Sequence, residues 1–310
     1  MSDEPLTSRD LRKVYSSRGA PVTTALAGVS IDVHQGERVA LLGRNGAGKT
    51  TFLKIASTLL RPTAGTIEIF GHDVDRQPDR ARALIAVVPQ EGKPFFHLTP
   101  REQVYTYLRA RGFGKETAKS RTSESLEKMG LTDISDRLSI TLSGGQRQRT
   151  MVATVIATEA PLLFLDEPTI GMDPFARRDV WAALRDLTRK GSTMLLTTHY
   201  LDEAEALSDR LYIIDRGRVL VRGTSEELKQ SVGGTLKVTM ANAIDRTPLF
   251  TSFGECVPDG TSLTVIVPPA RLSELMAVAL REQLTATVGP VTLEEAFLRF
   301  VGRSINEDDH

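Results

Sequence analysis

Short apolar runs alternate with amphipathic stretches through the first two thirds of the chain. Alternating or continuous apolar residues predict a strand, and apolar residues at helical spacing predict a helix. The predicted strands are residues 22–33, 37–42, 66–70, 84–88, 162–165, 193–197, 210–215 and 218–222. The predicted helices are residues 49–60, 175–190 and 200–208, with a polar helical region across residues 99–130. This order favours an α/β fold with a mostly parallel sheet and an inserted helical region.

The pattern changes beyond Gly233 and Gly234, which we interpret as a domain boundary. Two predicted strands and two predicted helices follow, at residues 236–240, 263–267, 270–283 and 292–301. We interpret residues 235–303 as a small separate α+β domain. We expect the end of the chain, residues 304–310, to be a disordered tail.

Composition narrows the classes of protein that fit the chain. Its 310 residues are 40% hydrophobic and 25% charged, which suits one large domain plus a smaller one. The formal net charge is zero, so no global electrostatic argument favours a nucleic-acid partner. The single cysteine, Cys256, cannot form an internal disulfide, which indicates a reducing compartment. We find no secretory signal and no apolar run near the roughly 20 residues of a membrane span, so we expect a soluble chain.

The loop after residues 37–42 matches the pattern G-x-x-x-x-G-K-[ST]. The candidate nucleotide-binding residues there are Gly43, Arg44, Asn45, Gly46, Ala47, Gly48, Lys49, Thr50 and Thr51. Backbone N–H groups of such a loop surround the β-phosphate, Lys49 can reach the β- and γ-phosphate oxygens, and Thr50 can offer its hydroxyl to Mg²⁺. The alternative is an ordinary glycine-rich turn with an exposed lysine. A buried strand before the loop and a helix after it favour phosphate binding.

Two carboxylates, Asp166 and Glu167, follow the very apolar run at residues 162–165. The carboxyl end of a core strand lies beside the ligand in this kind of α/β sheet. Asp166 therefore suits a direct or water-mediated Mg²⁺ contact, and Glu167 suits a general base or water-positioning group for attack on a γ-phosphate. The alternative is a pair of helix-capping residues at the end of a strand.

A second glycine-rich turn, Leu142–Gln146, opens a basic amphipathic run. Ser143 can cap the helix, while Gly144 and Gly145 allow backbone N–H groups to approach an anion closely. The helix dipole adds a favourable partial charge at this end. Without other motifs, a capped helix after a turn would explain this segment equally well.

Six motifs in this order resemble those of the ATPase subunits of ATP-binding cassette (ABC) transporters, over about residues 6–230. They are Gly43–Thr51 (Walker A), Gln90 (Q-loop), Leu142–Gln146 (signature), Leu162–Glu167 (Walker B), Gly171–Asp173 (D-loop) and His199 (switch histidine). Tyr15 lies where the family places an aromatic ring that stacks on adenine. Taken singly, Gln90 could be a solvated loop residue, His199 a helix-terminal residue and Tyr15 a residue packed on the sheet. Mild departures from the family pattern are Glu159-Ala160, Ile170 and Met172.

The resemblance implies a P-loop ATPase core with an antiparallel β subdomain. It places the ATPase domain at residues 6–232, with a helical subdomain at about residues 91–158. It also implies that two copies, or this chain and a close paralogue, close around two Mg-ATP molecules. The signature residues Ser143, Gly144, Gly145 and Gln146 of one chain then face ATP held by the other.

The same resemblance assigns roles to individual side chains. Glu167 would orient the attacking water, His199 would contact the γ-phosphate, and Lys49 would stabilise transition-state charge. Gln90 would take part in catalysis. The candidate Mg²⁺ ligands are Thr50, Gln90 and Asp166, and Asp173 and Tyr15 complete the candidate ATP-binding set.

Two further segments indicate the type of transporter. Thr198–Glu205 and Thr292–Leu298 are similar to the ATPases of bacterial ABC-2-type exporters, including the daunorubicin-resistance type. The similarity implies an ATPase on the cytoplasmic face of the membrane that drives a separate multi-span permease to export an amphiphilic molecule. Exporters of sodium or polysaccharide remain alternatives. A soluble ABC ATPase without a transport role is less favoured, and intact Lys49, Asp166, Glu167 and His199 argue against a non-catalytic regulatory cassette.

Phe95 and Phe96 follow the Q-loop position. Two adjacent side chains of an extended segment cannot both point into one core. We hypothesise that one of them lines a groove that receives a cytoplasmic helix of the permease. The alternative is that both pack on the helical subdomain.

Overall fold

The computed structural model describes residues 4–16, 21–90, 92–231 and 236–307. Its Cα packing divides the chain into two units, Met1–Val221 and Arg222–His310. The predicted boundary at Gly233 and Gly234 lies outside the described residues, and the division falls before it, within a strand.

The first unit is built on two β-sheets. In chain order its strands are β1 (Leu6–Tyr15), β2 (Thr23–Val29), β3 (Asp32–Val33), β4 (Arg38–Leu42), β5 (Ala64–Ile69), β6 (His72–Asp73), β7 (Ile85–Val88), β8 (Leu162–Asp166), β9 (Thr193–Thr198), β10 (Arg210–Asp215) and β11 (Arg218–Gly223), the last of which crosses the boundary between the units. One sheet has the order β2-β1-β5-β6, with β3 paired to β1, and its described pairings are antiparallel. The other has the order β11-β10-β4-β9-β8-β7 and is parallel from β10 to β7. The predicted mostly parallel core and its antiparallel partner sheet are both present.

The helices of the first unit are α1 (Lys49–Ala56), α2 (Pro78–Leu84), α3 (Pro100–Ala110), α4 (Lys115–Lys128), α5 (Gly144–Ile156), α6 (Pro174–Arg189) and α7 (Leu201–Leu207). Helices α1, α6 and α7 follow parallel strands, α2 lies between β6 and β7, and α3, α4 and α5 lie between β7 and β8. The insertion consists of α3, α4 and α5, which pack on one another. Strands β8 and β9 are buried along their whole length, which explains the apolar run Leu162–Leu165 in β8 and the apolar and threonine residues of β9.

One hydrophobic core joins the two sheets through α1. Leu6 and Leu11 come from the antiparallel sheet, Leu41 and Phe164 from the parallel one, and Phe52 from the helix between them. Since α1 starts directly after the glycine-rich loop, this burial fixes the loop against both sheets.

Some predicted boundaries are wrong for local reasons. The helix predicted at residues 49–60 ends at Ala56, because the Ser57 hydroxyl donates to the Leu53 carbonyl at 2.7 Å and Thr58 adopts a φ of +65°. Leu59, predicted to lie on its apolar face, is 67% exposed. The strand predicted at residues 22–33 is divided between β2 and β3.

The second unit is a four-stranded antiparallel sheet with helices. Its elements are α8 (Ser225–Gln230), β12 (Leu236–Met240), β13 (Glu255–Asp259), β14 (Ser262–Val267), α9 (Leu272–Arg281), β15 (Ala286–Pro290) and α10 (Leu293–Glu307). The strand order is β13-β14-β12-β15. Apolar residues of α9 pack with one set of strand residues, and those of α10 pack with Ile266, so this unit has cores of its own.

The last helix is longer than predicted. It runs through Glu307, so residues 304–307, which we expected in a disordered tail, are helical, and residues 308–310 lie outside the described part. In the ranges that the structure describes, no helix has both the length and the apolar character needed to cross a bilayer.

Candidate nucleotide-binding site

The glycine-rich loop connects the end of β4 to the start of α1. Gly46 and Gly48 have φ values of +83° and +106°, a region that side chains rarely adopt. A Cβ atom on Gly48 would also lie 2.4 Å from the carbonyl oxygen of Ala25. The tight loop therefore requires glycine at position 48, and its backbone N–H groups are free of side-chain bulk.

Lys49 bridges the mouth of this loop. Its Nζ donates to the carbonyl oxygens of Gly43 and Arg44, at 2.7 and 3.1 Å. Burial lowers the pKa of Lys49, while the negative charges of Glu167 and Asp166 oppose that shift. A phosphate group in the loop would give this ammonium group the anionic partner that suits it better than two carbonyls.

A cavity of about 200 Å³ lies at the loop. It is lined by Ala25, by every residue from Asn45 to Thr51, and by Gln90 and Glu167. The structure thus brings together residues that are far apart in sequence but were predicted to act on one nucleotide.

Three oxygen-bearing side chains meet beside the cavity. Thr50 Oγ1 lies 3.1 Å from Gln90 Oε1 and 3.3 Å from Asp166 Oδ1. Within the described residues, no cluster of three or more His, Cys, Asp or Glu could hold a metal. A hydroxyl, an amide oxygen and one carboxylate fit the hard Mg²⁺ ion, which keeps waters and shares substrate phosphates rather than filling a protein cage.

Asp166 is held in place by the neighbouring strand. The Thr197 hydroxyl donates to Asp166 Oδ1, since the parallel register of β8 and β9 sets these two residues opposite each other. Burial raises the pKa of Asp166, and the hydrogen bonds from Thr197 and Thr50 oppose that shift. Neither Thr197 nor Ala25 was predicted to serve the site. The contact of Thr197 with Asp166 follows from the pairing register of β8 and β9, which the sequence alone does not give. No local sequence pattern indicates that Ala25 lines the cavity.

The buried Glu167 and the partly exposed His199 form a pair next to the cavity. His199 Nδ1 lies 3.0 Å from Glu167 Oε1. Glu167 has a φ of +50° and donates its backbone N–H to the Thr197 carbonyl at 3.0 Å. This left-handed backbone turns the Glu167 side chain out of the line of the strand and toward the phosphate loop.

The signature turn caps α5. Ser143 Oγ accepts from Gln146 N at 3.2 Å, and Gln146 Oε1 accepts from Ser143 N at 2.9 Å. A Cβ added to Gly144 would meet nothing within 4 Å, and one added to Gly145 would lie 3.4 Å from the Gly171 carbonyl. The turn therefore has one open side, lies next to the Gly171–Asp173 segment, and is absent from the described lining of the phosphate cavity of its own chain.

Two predicted nucleotide contacts lie outside this lining. Tyr15 ends β1 with 41% of its surface exposed, and Lys13 Nζ lies 5.4 Å from its ring centroid. Asp173 caps α6, where its Oδ1 accepts from the backbone N–H groups of Phe175 and Ala176, both at 3.0 Å. These hydrogen bonds, first that of Ala176, lower the pKa of Asp173. Contact of either residue with ATP stays a prediction.

Comparison with known proteins agrees with this geometry. The ABC transporter family model matches residues 26–170. The daunorubicin/doxorubicin resistance ATP-binding protein DrrA of Streptomyces peucetius is 38% identical over 96% of this chain and 92% of its own length. The Nod factor export ATP-binding protein I of Burkholderia orbicola (strain AU 1054) is 34% identical over 99% of this chain and 100% of its own length.

A solved structure of an ATP-binding cassette has the same fold as this chain. The dimeric post-hydrolysis state of an ATP-binding cassette, bound to ADP and Pi, superimposes with a TM-score of 0.66 at 26% identity. The match covers 71% of this chain and 98% of that one. Three observations therefore indicate the same family: the phosphate cavity, the order of the motifs, and the sequence identity to two relatives over nearly the whole chain. The chain belongs to the ABC transporter family, as an ATP-binding, ATP-hydrolysing subunit of the exporter type.

Proposed function

We propose that the chain binds Mg-ATP in the cavity at residues 45–51 and hydrolyses it with the Glu167–His199 pair. The observation that carries this proposal is the convergence of Thr50, Gln90 and Asp166 beside a cavity that Glu167 also lines. The Mg²⁺ ion would neutralise charge on the β- and γ-phosphates.

The side chains around the γ-phosphate then have separate tasks. Glu167 accepts a hydrogen bond from the attacking water and orients it, as its buried carboxylate allows. His199, 3.0 Å from Glu167, orients that carboxylate and contacts the γ-phosphate. Lys49 exchanges its carbonyl partners for phosphate oxygens and stabilises charge in the transition state.

Replacing Glu167 tests the chemical part of the proposal. We expect Glu167→Gln to bind ATP but to release phosphate at least about 100-fold more slowly, since the amide is a poor base. Phosphate release and equilibrium ATP binding would be measured side by side. Glu127→Gln, on an exposed position of α4, is the matched control and should behave as wild type. Phosphate release from Glu167→Gln at the wild-type rate would remove Glu167 from this role.

We also propose that two chains close face to face around two ATP molecules. The open side of Gly144 and the absence of the signature turn from the described lining of its own phosphate cavity support an ATP contact in trans. A two-fold arrangement makes both contacts equivalent. Each γ-phosphate favours the closed state by binding both chains, and hydrolysis removes that contribution.

An exposed apolar patch supports docking to a membrane permease. The patch consists of Phe95, Phe96, Leu138 and Ile140; Phe95 is 71% exposed and Phe96 is 47% exposed. Its two segments are joined by the backbone hydrogen bond from Ile140 N to the Phe96 carbonyl, at 3.2 Å. We propose that this patch receives a cytoplasmic helix of the permease, which holds the chain at the cytoplasmic face of the membrane.

Site-specific crosslinking tests this contact. In a Cys256→Ser background, cysteine at position 95 or 96 should crosslink to a co-expressed permease, and cysteine at the exposed Glu116 on α4 should not. The substitution of Cys256 leaves the introduced thiol as the only one. Absence of a crosslink from both positions would contradict the docking proposal.

For the cargo, we propose an amphiphilic molecule such as a drug, an antibiotic or a lipid-like compound. The names of two relatives, which refer to daunorubicin/doxorubicin resistance and to Nod factor export, support this class. Cells that express the chain with its permease should accumulate less anthracycline, whereas an effect only on sodium or polysaccharide export would favour those alternatives.

For the second unit, we propose that it regulates or docks the ATPase dimer.

A further inference from the structure

Glu203, which the proposed reaction does not use, is 0% exposed within α7. Its Oε1 accepts from the Thr169 hydroxyl at 2.6 Å and from Trp181 Nε1 at 3.3 Å. Thr198, at the end of β9, is bonded to the residue after His199 instead, because its hydroxyl accepts from the backbone N–H of Tyr200 at 2.9 Å. The Glu203 side chain thus joins the loop after β8, through Thr169, to helix α6, through Trp181.

This arrangement is costly to the fold. Among the described residues, Glu203 Oε2 has no hydrogen-bond partner, although it is fully buried. Burial raises the pKa of Glu203, and the hydrogen bonds from Thr169 and Trp181 oppose that shift. An apolar side chain would fill this place at lower cost in free energy. The carboxyl group therefore calls for an explanation other than stability.

A second contact chain runs from the same place to His199. The Arg177 guanidinium lies 5.2 Å from the Trp181 ring centroid and 4.6 Å from that of Tyr200, and it bonds to Asp202 at 3.0 Å. The Tyr200 ring centroid lies 4.1 Å from that of His199. Packing of a cation between two rings restricts both of them.

The two contact chains meet at Trp181, which bonds to Glu203 and lies next to Arg177. Thr169 lies between Glu167 and Asp173 in sequence, so its bond to Glu203 holds the loop whose Gly171 carbonyl lies next to Gly145 of the signature turn. Tyr200 and Thr198 flank His199 on either side. Together they tie the histidine to the segment that, in the proposed dimer, faces the other chain.

We infer that Glu203 is a positioning residue, which joins His199 and the loop at residues 169–173 into one unit that responds to the γ-phosphate. The inference rests on the proposed roles of Glu167 and His199. Movement of His199 on ATP binding is passed along the Tyr200–Arg177–Trp181 contacts to Glu203 and from there to Thr169, so that the loop changes position together with the histidine. Such coupling requires a connected element that both sites bias, which this cluster provides.

Trp181 gives a direct readout of the cluster. It is the single tryptophan of the chain, and its indole N–H bonds to Glu203. We expect a non-hydrolysable ATP analogue to change the fluorescence of Trp181 in the wild-type protein. We expect the change to be lost in Glu203→Ala and in Thr169→Val, and retained in Glu203→Gln, whose amide oxygen still accepts from Thr169.

Kinetics of the same variants complete the test. For Glu203→Ala and Thr169→Val we expect kcat to fall by about 10- to 100-fold with little change in the KM for ATP, because the phosphate loop is untouched. Glu203→Gln should restore kcat. A purely structural Glu203 would instead lower the amount of folded protein and leave kcat per folded molecule and the Trp181 response unchanged.

Three outcomes would overturn the inference: no response of Trp181 to nucleotide in the wild type, wild-type kcat in Thr169→Val, or equal losses in Glu203→Gln and Glu203→Ala. Glu167→Gln and His199→Ala, assayed in parallel, separate this failure from that of the proposed function. If those two variants still turn over, the proposed roles fail. If they are inactive and the Glu203 and Thr169 variants are not, only the positioning role fails.

Discussion

At the scale of single residues, the site contains one carboxylate, that of Asp166, whose ionised form is disfavoured by burial. Asp166 is buried and is hydrogen-bonded to two hydroxyl groups, from Thr197 and Thr50. Burial raises its pKa, so ionisation of this group at neutral pH works against the folded state. The same ionised group is what a Mg²⁺ ion requires.

Asp166→Asn should therefore stabilise the nucleotide-free protein while weakening Mg²⁺ binding. Because the folded-state pKa is raised, the folded state holds more protons, and the contribution of Asp166 to stability falls as pH rises through and above the ordinary Asp value. We expect the free energy of unfolding to increase by about 1 kcal/mol at pH 7. Below about pH 4 both side chains are uncharged, and the difference should disappear. Urea unfolding at both pH values, with Mg²⁺ titrations, measures this.

The opposite result would be informative. If Asp166→Asn lowered stability at pH 7 and not at pH 4, the ionised carboxylate would be a favourable part of the fold, and the burial argument would be wrong. Thr197→Val is a useful companion, since it removes the hydroxyl that supports Asp166 without changing any charge.

At the scale of elements, the phosphate loop depends on one close approach between backbones. Gly46 and Gly48 both have positive φ values, but only Gly48 faces a carbonyl oxygen, that of Ala25 in β2. The two positions therefore separate the cost of backbone strain from the cost of a steric clash.

We expect Gly46→Ala to lower the free energy of unfolding by about 1 kcal/mol through strain alone. Gly48→Ala should cost clearly more, because its Cβ would lie 2.4 Å from the Ala25 carbonyl oxygen and would push α1 away from β2. Chemical denaturation of the two variants gives the comparison. Equal losses would mean that the loop relaxes without disturbing β2.

Much of the parallel core is predictable from the sequence, for a physical reason. Strands such as β8 and β9 are buried on both faces, so every position is apolar or can be hydrogen-bonded, and the run is plain to see. Strand β1 is different. Its register with β2 and β5 is irregular and Asp10 has a φ of +45°, so the period-two pattern that identifies a strand is interrupted. We did not predict it.

The residues of the site likewise divide into those that local sequence patterns predict and those that they do not. The phosphate loop, Gln90 and the carboxylates at the end of β8 could be predicted because each has a fixed local pattern and the structure brings them together. Thr197 and Glu203 could not, since their contacts depend on how separate strands and helices pair in space. Local sequence is therefore enough to identify the motif residues, whereas the residues that hold them in place are identified only from the tertiary structure.

At the scale of the whole molecule, the dimer that we propose uses the signature turn as a contact between two chains. Ser143 caps α5 and lies beside the open Gly144. A long cationic side chain at position 143 would fill the place of the ATP phosphates of the other chain.

Ser143→Arg should abolish ATP-dependent dimer formation and leave ATP binding by the monomer nearly unchanged, because the phosphate cavity of the same chain lies elsewhere. Ser123→Arg, on the exposed surface of α4, is the control for added charge and should dimerise. Sedimentation with ATP and Mg²⁺ in a Glu167→Gln background measures the oligomer. A dimer of wild-type affinity in Ser143→Arg would argue against a signature contact in trans.

The left-handed backbone of Glu167 has a consequence for how such a protein evolves. A non-glycine residue at a φ of +50° costs roughly 1 kcal/mol compared with glycine. A single base change converts a glutamate codon to a glycine codon. The same mutation would therefore relieve this strain and remove the proposed base. Selection for thermal resistance alone would therefore be expected to yield inactive chains. Only simultaneous selection for hydrolysis would keep the glutamate in place.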